Sequence, residues 1–230
     1  MSDVKNAIIL AAGLGSRMAP LTHQTPKGLI PVKGTPMVER IIEQLHEVGI
    51  KEIIVVTGHL ASNFDYLVSK YGVKLVFNPD YATANNLSSI ACVQEHLSSS
   101  YIICPDSWSE RNIFNKHEQA SWYACKYFTE PTSEWICKPD ANGRIMEVVI
   151  GGKSGFGMYG PAYFDADFSD KFKKHMRNYL AQPISKDFFW EDIVIRHLDE
   201  MPIYINDQSG NIYEFDSLEE LAAFDDSYKR

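Results

Sequence analysis

The chain has 230 residues, of which 45% are hydrophobic and 12% aromatic, and it carries a formal net charge of −8. This size suits one α/β domain with a large core, and the acidic balance argues against a nucleic-acid-binding surface, which needs a basic patch. No apolar run is long enough for a membrane span, and the N-terminus lacks a secretory pattern. The cysteines neither form Cys-x-x-Cys pairs nor have histidines at ligand spacing, so we expect reduced thiols, no zinc bound by them and a cytoplasmic enzyme. They are Cys92, Cys104, Cys125 and Cys137.

The first half of the chain alternates apolar strands with amphipathic helices, which indicates a parallel sheet covered on both faces. In chain order, we expect a strand at 6–12, a helix at 37–48, a strand at 53–57, a helix at 64–71, a strand at 75–77, a helix at 87–97 and a strand at 101–104.

The second half shows shorter strands separated by turns. Gly152-Lys153-Ser154 ends like a P-loop, but Glu147 stands where the first glycine should be, so residues 151–157 are predicted as a flexible turn. We expect strands at 121–127, 135–138, 145–150 and 158–164, helices at 167–180 and 187–197, a short strand pair near 204–213 and a final helix from Leu218. The pattern predicts a single Rossmann-like domain over residues 1–230, with a mostly parallel mixed central sheet.

A glycine loop with two cations follows the first strand. It contains the run Ala11, Ala12, Gly13, Leu14, Gly15 and Ser16, and Arg17 and Lys27 come after it. Glycines let backbone N–H groups approach an anion closely, and the two cations add fixed positive charge. A dinucleotide fingerprint is excluded because Met18 occupies its third glycine position. The combination suits a nucleoside triphosphate whose pyrophosphate is held while its α-phosphate is attacked.

Other polar residues follow the apolar strands. Gly58, Asn78 and Asp106 come at the carboxyl ends of predicted parallel strands, where ligands of such folds bind. Asp216 leaves a short aromatic strand near the chain end. Strand-end acids suit Mg²⁺, but the residues alone leave open that both aspartates only cap neighbouring helices.

The spaced elements Gly-Leu-Gly-Ser-Arg, Pro-Leu-Thr and Thr-Pro-Lys resemble the signature of nucleotidyltransferases. Over nearly its whole length, the chain resembles the bacterial CTP:phosphocholine cytidylyltransferases, which have the sugar-nucleotidyltransferase fold. The resemblance implies Mg²⁺ ligands at Asp106 and Asp216, although the family commonly has Asp-x-Asp where this chain has Cys104-Pro105-Asp106. Residues of about 1–106 would form a nucleotide-binding half and about 107–230 an acceptor-binding half.

The same resemblance extends to Asn85-Asn86-Leu87-Ser88. Amides of this kind suit a cytosine or a phosphate, and the alternative is that Asn85 and Asn86 only cap the following helix. We therefore predict nucleotide binding by the glycine-loop residues 11–16, Gly58, Asn85, Asn86 and Ser88, with Lys27 and Arg17 as catalytic residues.

The predicted acceptor side is aromatic and acidic. It comprises Trp135, Phe189, Trp190, Glu191 and Asp192, in segments that resemble the choline pocket of the family. Aromatic faces and carboxylates hold a quaternary ammonium, although an aromatic helix face is more often core. The histidines show no catalytic pairing in the sequence.

The leading hypothesis is CMP transfer from CTP to phosphocholine, giving CDP-choline and pyrophosphate. Phosphoethanolamine, 2-aminoethylphosphonate or a sugar 1-phosphate remain alternative acceptors, and a non-catalytic binding subunit is a further alternative. The sequence predicts neither the oligomeric state nor the base preference independently of the resemblance.

Overall fold

The computed structural model describes residues 1–229 and is built around one mixed sheet of nine strands with helices against it, which confirms the predicted α/β fold class. The strands are β1 (Ser2–Asp3), β2 (Asn6–Ala11), β3 (Pro31–Val32), β4 (Thr35–Pro36), β5 (Ile53–Thr57), β6 (Lys74–Phe77), β7 (Ser100–Ile103), β8 (Ser107–Ser109), β9 (His117–Glu118), β10 (Trp122–Phe128), β11 (Thr132–Pro139), β12 (Ile145–Gly152), β13 (Gly155–Phe164), β14 (Tyr204–Asp207) and β15 (Ile212–Glu214). The α-helices are α1 (Met37–Glu47), α2 (Tyr66–Tyr71), α3 (Leu87–Ala91), α4 (Ala166–Leu180), α5 (Trp190–Arg196) and α6 (Leu218–Phe224). Within residues 1–229, no helix combines the length and apolarity that a bilayer crossing requires.

Strands β7, β2, β5 and β6 lie side by side in parallel, so their carboxyl ends open at one edge of the sheet. The long strand β13 connects this parallel part to the second half of the chain. One of its edges pairs with β7 and β11, and the other pairs with β10. Strand β12 lies beyond β11, and β14 runs parallel to β10. Both halves of the chain therefore contribute to one continuous sheet; their division near residue 106 stays a prediction.

The alternation of side chains along β2 fixes how the helices cover the sheet. Ile8 and Leu10 point into the same apolar cluster as Phe172 of α4, whereas Ile9 points into the opposite cluster with Leu45 of α1. Both clusters consist mainly of buried aliphatic and aromatic side chains. Burial of both faces makes β2 and its neighbours rigid, so the loops at their carboxyl ends start from fixed positions.

The predicted helix at 87–97 is shorter than expected. It ends at Ala91, and a separate 3₁₀ turn follows at Gln94–His96. Two serines and the β-branched Val93 have weak helix propensity, and the burial of Val93 and Leu97 in the core determines the path of the chain. The helix predicted at 187–197 likewise begins only at Trp190, after a 3₁₀ turn at Ser185–Asp187.

The strand pair predicted near 204–213 is wrong in its partners. β14 pairs with β10, and β15 pairs with β8, a strand that the sequence did not indicate. The glycine-rich stretch 151–157 is a tighter hairpin than predicted, because only Lys153 and Ser154 lie between β12 and β13.

Candidate active site

The loop after β2 folds back so that its two cations face the same space. Gly15 has φ +62°, in the left-handed region that favours glycine, and a Cβ there would lie 2.9 Å from Thr22 Cγ2. Thr22 donates its Oγ1 hydroxyl to the Gly15 carbonyl at 3.0 Å, which fixes the loop. As a result Arg17 and Lys27 line one recess of about 240 Å³, together with Asp106 and Asp216.

Lys27 lies at the centre of a cluster of four charges. Its Nζ contacts Asp106 Oδ2 at 2.8 Å and Asp216 Oδ1 at 2.7 Å. The Arg17 guanidinium contacts the other Asp216 oxygen, Oδ2, at 2.9 Å. Four residues that the sequence spreads over 200 positions thus meet through three ion pairs.

Two close backbone contacts bring the aspartates to Lys27. A Cβ on Gly28 would lie 2.8 Å from Pro105 Cβ, so glycine permits the Lys27 turn to approach the end of β7. Strand β15 pairs with β8, and the Phe215 N–H donates to the Asp106 carbonyl at 3.2 Å. The residue after Phe215 is Asp216, which this pairing holds beside Asp106.

The pKa values of the cluster reflect burial and charge together. Burial alone would lower the pKa of the Lys27 ammonium, but the carboxylates of Asp106 and Asp216 outweigh it and hold that pKa above its ordinary value. Burial, reinforced by the same two carboxylates, raises the pKa of Glu214 well above its usual range. Burial and the nearby Asp216 also raise the pKa of Glu134. The centre therefore pairs two cations with two carboxylates, while its surroundings favour protonation of the neighbouring acids.

Asp106 and Asp216 are the side chains that fit a divalent cation. Asp106 Oδ1 is buried and has no hydrogen-bond partner among residues 1–229. A buried carboxylate oxygen without a hydrogen-bond partner destabilises the fold, and a ligand that binds to this oxygen removes the penalty. Mg²⁺ typically takes one or two carboxylates and completes its shell with phosphate oxygens and water, so this donor set suits it.

A cleft of about 470 Å³ opens beside this cluster, at the carboxyl ends of the parallel strands. Its walls come from the glycine loop, from the segment between β6 and α3, and from the segment before α5. Among the predicted nucleotide-binding residues, it is lined by Ala12, Gly13, Leu14, Gly15, Ser16, Asn85 and Asn86. Ala11 lines a smaller recess of about 110 Å³ with Lys27 and Asp106, and neither Gly58 nor Ser88 lines the cleft.

The Asn85-Asn86 pair connects the two halves of the chain. Asn85 Nδ2 donates to the Asp187 carbonyl at 2.8 Å, and Asn86 Oδ1 accepts from the Trp190 N–H at 2.9 Å. Ser88 Oγ donates to the Asn85 carbonyl at 2.8 Å, from behind the cleft wall. The amides therefore position the start of α5 as well as lining the cleft.

The predicted acceptor residues fall into an exposed group and a buried group. Phe189 is exposed, and its ring meets the half-buried Trp135 edge-on at 6.0 Å between centroids. Trp190 is 1% exposed, stacks on Tyr123 and packs against Phe164, so the structure places it in the core with its faces covered. Of the predicted aromatic residues, Trp135 and Phe189 are therefore the ones with accessible ring surface.

The two acids of the same segment have different surroundings. Asp192 accepts from the Phe189 N–H at 2.9 Å and so caps the start of α5. Glu191 is buried, with Asn86 Nδ2 at 3.4 Å from Oε2 and the Tyr123 hydroxyl at 3.3 Å from Oε1. Burial raises the pKa of Glu191 to about 7, against the opposing effect of these hydrogen bonds.

Sequence reasoning missed several residues of the site. Glu214 was one, although its position two residues before Asp216, at the end of β15, was a usable signal. Tyr81 and Lys186 also line the cleft, and no motif marked them. Glu134, which directly precedes Trp135, was not predicted either.

Comparisons with known proteins identify the family of the chain. The model of the MobA-like NTP transferase domain matches residues 7–105. Choline-phosphate cytidylyltransferase of Streptococcus pneumoniae is 36% identical over 97% of this chain and 98% of its own length. The 2-aminoethylphosphonate cytidylyltransferase of Lancefieldella rimae is 39% identical over 99% of this chain and 94% of its own length.

A solved structure of the CTP:phosphocholine cytidylyltransferase from Streptococcus pneumoniae superimposes with a TM-score of 0.94 at 36% identity. It covers 99% of this chain and 100% of the solved one. A UDP-glucose pyrophosphorylase with a TM-score of 0.76 is only 16% identical and shows a shared fold alone.

Proposed function

The chain belongs to the family of bacterial cytidylyltransferases that these relatives represent, enzymes that transfer CMP from CTP, and we propose that its acceptor is phosphocholine. The products would be CDP-choline and pyrophosphate. The observation that carries this choice is the partly exposed pair Trp135 and Phe189, of which Phe189 stands two residues before the buried Glu191. Ring faces beside a carboxylate suit a quaternary ammonium, which has no N–H to donate.

The glycine loop is proposed to bind the triphosphate. Its residues Gly13 to Ser16 line the cleft, and Arg17 extends from the same loop with an exposed guanidinium. Lys27 is more deeply placed and is fixed by two ion pairs. Its ammonium stabilises the negative charge that builds up as the acceptor phosphate attacks the α-phosphorus in line and pyrophosphate leaves.

Asp106 and Asp216 are proposed to hold Mg²⁺, for which the unpaired Asp106 Oδ1 is the supporting observation. When bound, such an ion neutralises charge on phosphate oxygens. The chain's own residues position the carboxylates through the contacts of Gly28 with Pro105 and of Phe215 with Asp106. We place the reaction in the cytoplasm, as the sequence predicts.

One alternative acceptor has an observation in its favour. Glu191, Asn86 and the Tyr123 hydroxyl form a polar group, and its oxygens can accept hydrogen bonds from a primary ammonium. That arrangement would suit 2-aminoethylphosphonate, and the identities of 36% and 39% to the two kinds of relative do not separate these acceptors.

The test is pyrophosphate release from each of four nucleoside triphosphates, assayed with phosphocholine, phosphoethanolamine, 2-aminoethylphosphonate and glucose 1-phosphate. We expect the highest kcat/KM for CTP with phosphocholine, and no turnover in excess chelator. Lys27→Met should remove turnover, whereas Lys51→Met, an exposed lysine before β5 at the opposite end of the strand, should not. A higher kcat/KM for 2-aminoethylphosphonate would replace phosphocholine as the acceptor.

A further inference from the structure

Two histidines and a glutamate meet where α4 and α5 pack together. His175 lies in α4, His197 directly follows α5, and Glu200 follows one turn later. His175 is 8% exposed, His197 is half-buried and Glu200 is exposed at the surface. The seven residues of α5 separate this cluster from Phe189, a distance of roughly 10 Å along the helix. The cluster shares no residue with the lining of the cleft or of the recess around Lys27.

The geometry brings three potential donor atoms close together. His175 Nε2 lies 3.2 Å from Glu200 Oε2, and His197 Nδ1 lies 3.8 Å from Glu200 Oε1. One ligand atom from each of the three residues lies within 4.8 Å of the others. The two imidazole rings stack with their centroids 3.6 Å apart and their planes at 20°.

Burial lowers the pKa of His197, and the neighbouring His175 lowers it further. A neutral imidazole keeps a nitrogen lone pair available, which is the form that binds metal ions. Among residues 1–229, Glu200 is the acid within ion-pair distance of both rings.

We propose that His175, His197 and Glu200 bind a zinc-class transition-metal ion, outside the catalytic centre. Two imidazole nitrogens and one carboxylate oxygen suit Zn²⁺ or Co²⁺, with water in the fourth position, whereas Mg²⁺ prefers oxygen ligands. Zinc takes ligands at about 2.0–2.2 Å, so the three donors must close up from their present spacing, and the His197 ring must turn out of the stack for both nitrogen lone pairs to point at one ion. The exposed Glu200 side chain and the position of His197 beyond the end of α5 allow this movement.

The ion would join α4 to the far end of the helix that begins with Trp190 and Glu191. Metal bound only by the folded chain stabilises that fold by mass action. Its expected effect is therefore a higher melting temperature and a more firmly held α5, without a step in nucleotidyl transfer.

The experiment uses the full chain without a polyhistidine tag. Because Asp106 and Asp216 also attract divalent ions, the background is the double variant Asp106→Asn, Asp216→Asn. After equilibration with Zn²⁺ and dialysis, we expect one zinc per chain by elemental analysis. Co²⁺ should give visible absorption bands of a four-coordinate site, and Zn²⁺ should raise the melting temperature.

In this background His175→Gln, His197→Gln and Glu200→Gln should each weaken Zn²⁺ binding by more than about tenfold. His117→Gln is the matched control, an exposed histidine paired with Asp3, and should change nothing. Glu200→Gln alters an exposed side chain, so it tests the site even if the buried His175 variant unfolds. Zinc that stays bound in the Glu200 and His197 variants, or no zinc in the background chain, would overturn the proposal.

Discussion

Glu191 should give the acceptor reaction a pH dependence that one substitution removes. Its carboxyl is buried beside Asn86 and Tyr123, and its pKa is about 7. In the proposed site, the ionised form attracts the cationic end of the acceptor. Raising the pH through 7 should therefore improve acceptor binding, and Glu191→Gln should abolish this gain.

The magnitude follows from the ionised fraction. For a pKa of about 7, that fraction rises from roughly one tenth at pH 6 to roughly nine tenths at pH 8, so kcat/KM for phosphocholine should rise about tenfold. Folding stability has the opposite pH dependence and falls as the pH rises. The unfolded chain ionises Glu191 near 4.5, so stability from this group is present below that pH and is lost towards pH 7. The loss is on the order of 3 kcal/mol, and Glu191→Gln removes this slope.

The assay is pyrophosphate release at saturating CTP between pH 6 and 8. The acceptor phosphate itself titrates near pH 6. To cancel that contribution, kcat/KM of the unmodified enzyme is divided by kcat/KM of Glu191→Gln at each pH. Glu147→Gln, an exposed glutamate paired with Lys138, serves as the matched control and should keep the full pH dependence. A flat ratio across this range would refute the role assigned to Glu191.

Further substitutions test the rest of the site. Lys27→Met should lower kcat about 100- to 1000-fold with the melting temperature nearly unchanged, and near-normal turnover would remove Lys27 from the mechanism. Asp106→Asn and Asp216→Asn should each abolish metal-dependent turnover while circular dichroism stays unchanged, and activity of the unmodified enzyme in excess chelator would contradict the metal site. Trp135→Leu should raise KM for phosphocholine about two- to thirtyfold with KM for CTP unchanged, since one cation–π contact contributes roughly 0.5–2 kcal/mol. Trp190→Leu should instead cost roughly 2–4 kcal/mol of stability in urea unfolding and leave the acceptor ranking unchanged; a changed ranking would return Trp190 to the acceptor site.

The sequence predicts most reliably what depends on local pattern. The buried strands β2, β5 and β7 are continuous apolar runs, and the Gly15 loop follows β2 directly. Their parallel arrangement places the loop and Asp106 at one edge, which the structure confirms. Here local sequence is sufficient because strand period and strand order leave few alternatives.

Contacts between distant segments were the part that the sequence did not provide. β15 pairs with β8 across about 100 residues, and no local signal specifies that register. Trp190 shows the same difficulty, because composition alone does not tell which face of a short aromatic helix is buried. The stacking of His175 with His197 also depends on how α4 packs against α5, so neither histidine stood out in the sequence.

Cys104 stands where the family commonly has the first aspartate of its Asp-x-Asp pattern. Burial raises the pKa of its thiol well above the usual range, and the nearby carboxyls of Asp106, Glu191 and Glu214 raise it further. The side chain is therefore neutral. Lys27 and Arg17 already balance Asp106 and Asp216 one for one. Before any metal ion binds, an acid at position 104 would add a negative charge that these two cations do not match, whereas a neutral thiol leaves the side chains of the centre balanced.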